Sequence, residues 1–164
     1  MLNRSAKASL GGMSAEPFPE VHWPPGWGPD RGDGFVSHER RMTAAAGAVF
    51  ARLVAVEAWP RWQRAVERTE VSGELATGSG FVVVTRRHLL DGIVGELDRP
   101  NRFGWAAIGD RVSFYQNWLL LEEPDGGTLV VFQEASRGPS AFLRAAERLE
   151  LTRDWVYALP DDGR

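Results

Sequence analysis

Between Val66 and Ala135 the chain is cut into short apolar or alternating stretches by turn residues at nearly regular intervals, and this punctuation limits the fold more than any other feature. The stretches are 66–71, 81–90, 93–97, 103–108, 112–121 and 129–135. The breaks are Gly78-Ser79-Gly80, Asp91-Gly92, Arg99-Pro100-Asn101, Gly109-Asp110 and Pro124-Asp125-Gly126-Gly127. Glycine turns without steric cost, and Asp, Asn and Pro favour the other turn positions. Strands joined by connections this short pair antiparallel, so the segment predicts a meander of six strands.

The flanks supply the remaining layer. The stretch 35–42 is compatible with a polar edge strand. After Thr43, a plausible cap, Val49, Phe50, Leu53, Val54 and Val56 form an apolar stripe at helical spacing. Trp59-Pro60 is expected to stop that helix, and a second short helix or turn carries Trp62 toward Val66. After Gly138 the alternation ends, Pro139 suits a first helical position, and a helical pattern runs to Leu159. Glu147, Glu150 and Asp154 share a narrow face of it. The broad opposite face, with Phe142, Ala145, Leu149, Trp155, Val156 and Leu159, should lie on the sheet. The expected class is α+β, with residues 35–160 as one domain.

Residues 1–34 are too rich in glycine and proline for either periodicity to run, and read as an arm. Phe18, Val21, Trp23 and Trp27 would be costly to leave in water at about 25 cal/mol per Å² of apolar surface. The stretch 17–29 is therefore expected to dock, either as a lid, on the outer sheet face or across to a second subunit in a homodimer.

Composition removes whole classes of chemistry. The chain has no cysteine, so disulfides, thiolate nucleophiles and cysteine-held metals are excluded. A net charge of −3 gives no positive field for nucleic acid, and the arginine bias, with Lys7 the only lysine, reads as background. No run approaches the roughly 18 apolar residues of a membrane span and no apolar leader follows Arg4 and Lys7, so a cytoplasmic protein is expected. His22, His38 and His88 are too scattered for a metal signature, and no metal or other cofactor is expected. A serine nucleophile elbow, phosphate loop and dinucleotide fingerprint are all missing.

The element order, strand, two helices, six strands and a long terminal helix, resembles the SRPBCC superfamily of START, birch-pollen-allergen and polyketide-cyclase-like proteins. The resemblance rests on Ala48-Val49-Phe50 through Trp59-Pro60-Arg61-Trp62, Gly78-Ser79-Gly80-Phe81, Arg99 to Trp105, Trp118, Gly126-Gly127-Thr128 and Glu134, and covers about 35–160. It implies a helix-grip fold: a curved antiparallel sheet of about seven strands, two short helices and a long C-terminal helix over a cavity. Such a cavity takes a small hydrophobic or aromatic ligand, and in some members cyclises or dehydrates a polyketide-like chain. The fold alone does not choose between an enzyme, a carrier or sensor, and a protein-interaction module.

Candidate site residues follow from alternation, with the resemblance choosing the inward face. Along 112–121, Phe114, Gln116, Trp118 and Leu120 share one face, and Ser113, Tyr115, Asn117 and Leu119 the other. The Trp118 face is taken as inward, and Val130, Phe132 and Glu134 then point inward with it. Trp59, Trp62, Trp105, Phe81 and Phe142 add ring surface, and Val83 and Leu149 aliphatic lining. Each ring alone is explained by core packing, while together they suit a cavity wall. Glu134 is read either as an ion-pair partner of Arg148 or Arg153, or as a general base or ligand anchor with its pKa raised by burial. Gln116 is a polar ligand contact. Tyr115 is a candidate acid or base, and His88 and Arg87 are further ones, although their run suits a solvated strand edge.

Overall fold

The computed structural model describes residues 20–139 and 145–162, the side chains of 145–150 excepted. In chain order it contains β1 (Gly34–Met42), α1 (Ala46–Val54), a 3-10 helix (Val56–Arg61), β2 (Val66–Val71), β3 (Gly80–Thr85), β4 (Leu89–Asp98), β5 (Arg102–Ile108), β6 (Ser113–Glu122), β7 (Thr128–Arg137) and α2 (Ala145–Tyr157). The strands make one curved antiparallel sheet in the order β1-β7-β6-β5-β4-β3-β2. Its inner face carries the core. Leu90 and Val94 of β4 are buried there while Leu89 and Ile93 are exposed, as strand alternation requires. Helix α1 lies against β5 and β6 and buries Val49, Phe50 and Leu53; α2 lies against β1 and β7. Each such fully buried side chain contributes about 1.5–3 kcal/mol.

Three local expectations are corrected. The break expected at Asp91-Gly92 lies inside β4, where these residues pair with Val82 and Phe81. The turn is earlier, at Arg86-Arg87-His88, and the Thr85 hydroxyl closes it by accepting from the His88 N–H at 3.0 Å. Gly92 serves close approach instead, since a Cβ there would stand 2.7 Å from the Phe81 ring. Thr43 does not cap α1. Its hydroxyl donates to Asp161 Oδ1 at 3.0 Å, and its N–H to Asp161 Oδ2 at 2.9 Å. Nor does Trp59-Pro60 end α1, which stops at Val54; both residues belong to the 3-10 helix. The Trp59 indole N–H donates to the Leu53 carbonyl at 2.9 Å, satisfying one of the acceptors that a helix C-terminus leaves open.

The described part of the arm, residues 20–33, packs on the outer sheet face. Val21 sits with Leu119 and Val131 in a small buried cluster. The Trp23 ring lies 6.2 Å from Phe35 and 6.1 Å from Tyr115, and the Arg137 guanidinium stands 4.2 Å over Trp27. His22 Nδ1 meets Glu96 Oε1 at 2.7 Å. Phe18 lies outside the described residues. At the other end of the chain, Arg40 Nη1 donates to the carbonyls of Val156 and Leu159, each at 2.8 Å, fixing the end of α2 to β1.

Candidate functional site

Sheet register sets the site. Trp105 on β5 is directly opposite Gln116 on β6, Gln116 is opposite Glu134 on β7, and Glu134 is opposite Val36 on β1. All lie on the inner face, so three polar side chains form one transverse row in an otherwise apolar interior. The Trp105 indole N–H donates to Gln116 Oε1 at 3.0 Å, and Gln116 Nε2 donates to Glu134 Oε2 at 2.9 Å. An indole nitrogen can only donate, so the amide oxygen must face Trp105 and the amide NH₂ must face the carboxylate. The direction of the chain is thereby fixed. Gln116 and Trp105 are fully buried and Glu134 is 3% exposed. Buried polar groups persist only when paired, and this row pairs its members with each other.

The aromatic candidates gather around that row in two groups. Trp59, from the 3-10 helix, lies 5.6 Å from Phe81, 5.2 Å from Trp105 and 5.0 Å from Trp155 between ring centroids. Trp62 adds an edge contact to Trp155 at 5.6 Å, and Phe114 one to Trp105 at 5.4 Å. The second group is Trp118 and Phe132, 4.7 Å apart in edge contact. Val83 and Leu120 are buried in the same core. The candidates Phe142 and Leu149 lie outside the described side chains, as does Arg148.

Sequence reasoning passed over His38, which it considered only as a metal ligand. Opposite Phe132 in register and 6.0 Å from that ring, it faces inward from β1, one row along from Glu134. Its Nε2 is hydrogen-bonded to the Thr152 hydroxyl of α2 at 3.0 Å. Burial, with the positive charge of Arg153 second, holds the imidazole below its ordinary pKa. A signal was present: Val36, His38, Arg40 and Met42 share one alternation. The stretch was read as a polar edge strand, yet α2 covers it.

Tyr115 is not brought to Glu134; it lies on the opposite, outer face. Its ring lies across Gly95 and Gly104, where an added Cβ would stand 2.4 Å from the phenol oxygen in each case. Trp23 and Trp27 cover it. Burial, and then the charge of Glu96, push its pKa up to about 12. A neutral phenol beneath the arm cannot serve the interior row. His88 and Arg87 belong to the β3–β4 turn. Arg153 lies over the Tyr157 ring at 5.4 Å.

Among the described residues no group of three His, Cys, Asp or Glu side chains is placed to hold a metal, and no helix is long and apolar enough to cross a membrane.

Solved structures share this architecture. A hypothetical protein from Helicobacter pylori matches 91% of this chain and 99% of its own, with a TM-score of 0.79 at 19% identity. The Zhui aromatase/cyclase from Streptomyces sp. R1128 matches over 77% and 90%, with a TM-score of 0.65 at 13% identity. A START superfamily protein from Mycobacterium smegmatis matches over 76% and 96%, with a TM-score of 0.62 at 15% identity. No protein-family model and no curated protein matches the chain. The chain has the helix-grip fold of START-type proteins.

Proposed function

We propose that the protein binds a small hydrophobic or aromatic molecule between the inner sheet face and α2, and that the Trp105–Gln116–Glu134 row anchors the polar group of that molecule. The row itself carries the reading: a carboxylate, oriented by an amide that is oriented in turn by an indole, set in an aromatic interior. Apolar walls with few convergent polar groups are the usual make-up of a small-molecule site. Gln116 orients one oxygen of that carboxylate within the interior.

The enzymatic version is cyclisation or dehydration of a polyketide-like substrate. It is favoured by an imidazole, His38, that faces inward one row along from Glu134 with its pKa held down, and by the fold shared with an aromatase/cyclase. In that version Glu134 takes a proton from a substrate carbon or hydroxyl while ring surfaces hold the chain bent. A carrier or sensor would use the same anchor without turnover.

Native mass spectrometry of freshly purified protein, followed by titration with 1-anilinonaphthalene-8-sulfonate, tests the reading. A co-purified molecule at one per chain, displaced by the dye, is expected. Glu134→Gln keeps the bond from Gln116 and should weaken binding of the co-purified molecule about tenfold, the equivalent of 1.4 kcal/mol. If no small molecule is retained and the dye fails to saturate at one site, the proposal is wrong.

A further inference from the structure

The sheet carries a second transverse polar row, on its outer face and back to back with the first. Asn117 on β6 is opposite Gln133 on β7, and Gln133 is opposite Ser37 on β1. Gln133 is fully buried, and Asn117 and Ser37 are 4% and 3% exposed. The inner row pairs its members with each other; the outer one does so only in part. Gln133 Nε2 donates to Ser37 Oγ at 3.3 Å, whereas Gln133 Oε1 and Asn117 Nδ2 are buried with no hydrogen-bond partner among the described residues. Exchanging the two ends of the Gln133 amide changes nothing. A serine hydroxyl accepts as readily as it donates, and the end turned away from it is still left over.

The arm closes over this row from both sides. In one direction the next outer-face pair, Leu119 and Val131, packs against Val21. In the other, Tyr115 and Phe35, both opposite Ala135, stand against Trp23. Val21 and Trp23 thus face the sheet, while the His22 side chain is 58% exposed, so the backbone at His22 crosses the amide row. Apolar contacts on either side shut the space beneath it off from bulk solvent.

A donor and an acceptor left open on neighbouring strands define what fits between them. Opposite Cβ atoms in an antiparallel pair are about 4.5–5.5 Å apart, so the opening is small. A cation would suit the amide oxygen and be repelled by the NH₂, and an anion the reverse. Water accepts from one and donates to the other.

We propose that this chamber is a binding site for one ordered water molecule, which accepts from Asn117 Nδ2 and donates to Gln133 Oε1, and that the arm docks on the sheet through it. The peptide groups of the arm crossing above bring the water to the roughly two to four polar partners such a site requires.

A crystal structure of the full-length protein at atomic resolution is expected to show a water within hydrogen-bond distance of both amides. In solution, oxygen-17 relaxation dispersion counts long-lived waters. Asn117→Leu, Gln133→Met and Ser37→Ala together remove the polar row and should lower that count by one, with circular dichroism reporting that the variant is folded. Should the variant fail to fold, the crystal structure of the parent decides. Asn117 and Gln133 amides in direct contact with nothing between them would overturn the proposal. So would a rubidium-soaked crystal with an anomalous peak in the chamber, which would assign it to a cation, or an undiminished count of long-lived waters in the folded variant.

Discussion

A methyl group at Gly104 decides whether Tyr115 can lie flat on the sheet. The phenol oxygen is 2.4 Å from where that methyl would stand, well inside van der Waals contact, and backbone on neighbouring strands leaves little room to retreat. Gly104→Ala is therefore expected to cost about 1–3 kcal/mol, the usual range for overpacking. Because the clash is chiefly with the hydroxyl, the same substitution should cost clearly less in a Tyr115→Phe background. Urea unfolding of the four proteins gives the coupling as a double-mutant cycle. Equal costs in both backgrounds would mean that the phenol is held elsewhere. At this scale alternation showed that Gln116 shares a face with Trp118, and Phe132 with Glu134, while the resemblance chose that face as the inner one. The glycine floor was not readable: Gly95 and Gly104 look like ordinary strand glycines until a ring from the next strand lies over them.

The arm and the sheet it covers are coupled through Tyr115. Trp23 stands against both Phe35 and Tyr115, so Trp23→Ala removes aromatic contacts from two strands at once. Trp23 is only part-buried, and a loss of about 1–3 kcal/mol, below the 3–5 of a fully buried tryptophan, is expected. A more specific reading is the Tyr115 phenol. Its pKa of about 12 depends first on burial, so uncovering it should bring the titration down toward the ordinary value near 10. Ultraviolet titration in a Tyr157→Phe background isolates that phenol, since the chain has two tyrosines. An unchanged titration would show that Trp23 does not cover it. Element order and most strand limits were legible because turns and alternation are local signals. The β3–β4 turn was not, because Asp-Gly has the same composition in a hairpin as at a strand position cleared for a neighbouring ring. The arm's docking place was illegible for a different reason: it has no period, so nothing local says which face it will meet.

Across the whole molecule, the first strand and the last helix close the fold, and a buried imidazole lies in the seam. His38 on β1 is hydrogen-bonded to Thr152 on α2, and Arg40, two positions on, holds the carbonyls at the helix end. The polar composition of 35–42 made the stretch read as a polar edge strand and gave no sign that His38 is buried; the helix that packs on it returns from more than a hundred residues away. The folded-state pKa of His38 is depressed, first by that burial and then by Arg153. Between the folded value and the unfolded value of about 6.5, the unfolded chain binds more protons, so stability rises with pH. This contribution is complete above about pH 6.5 and is lost as the pH falls through the folded value, at up to about 1.4 kcal/mol per pH unit for one group. His38→Gln keeps a side chain able to reach the Thr152 hydroxyl and removes the titration. Urea unfolding below pH 6.5 should then show a shallower loss of stability in the variant than in the parent. Parallel curves would place the acid sensitivity in other groups and leave the seam indifferent to protonation.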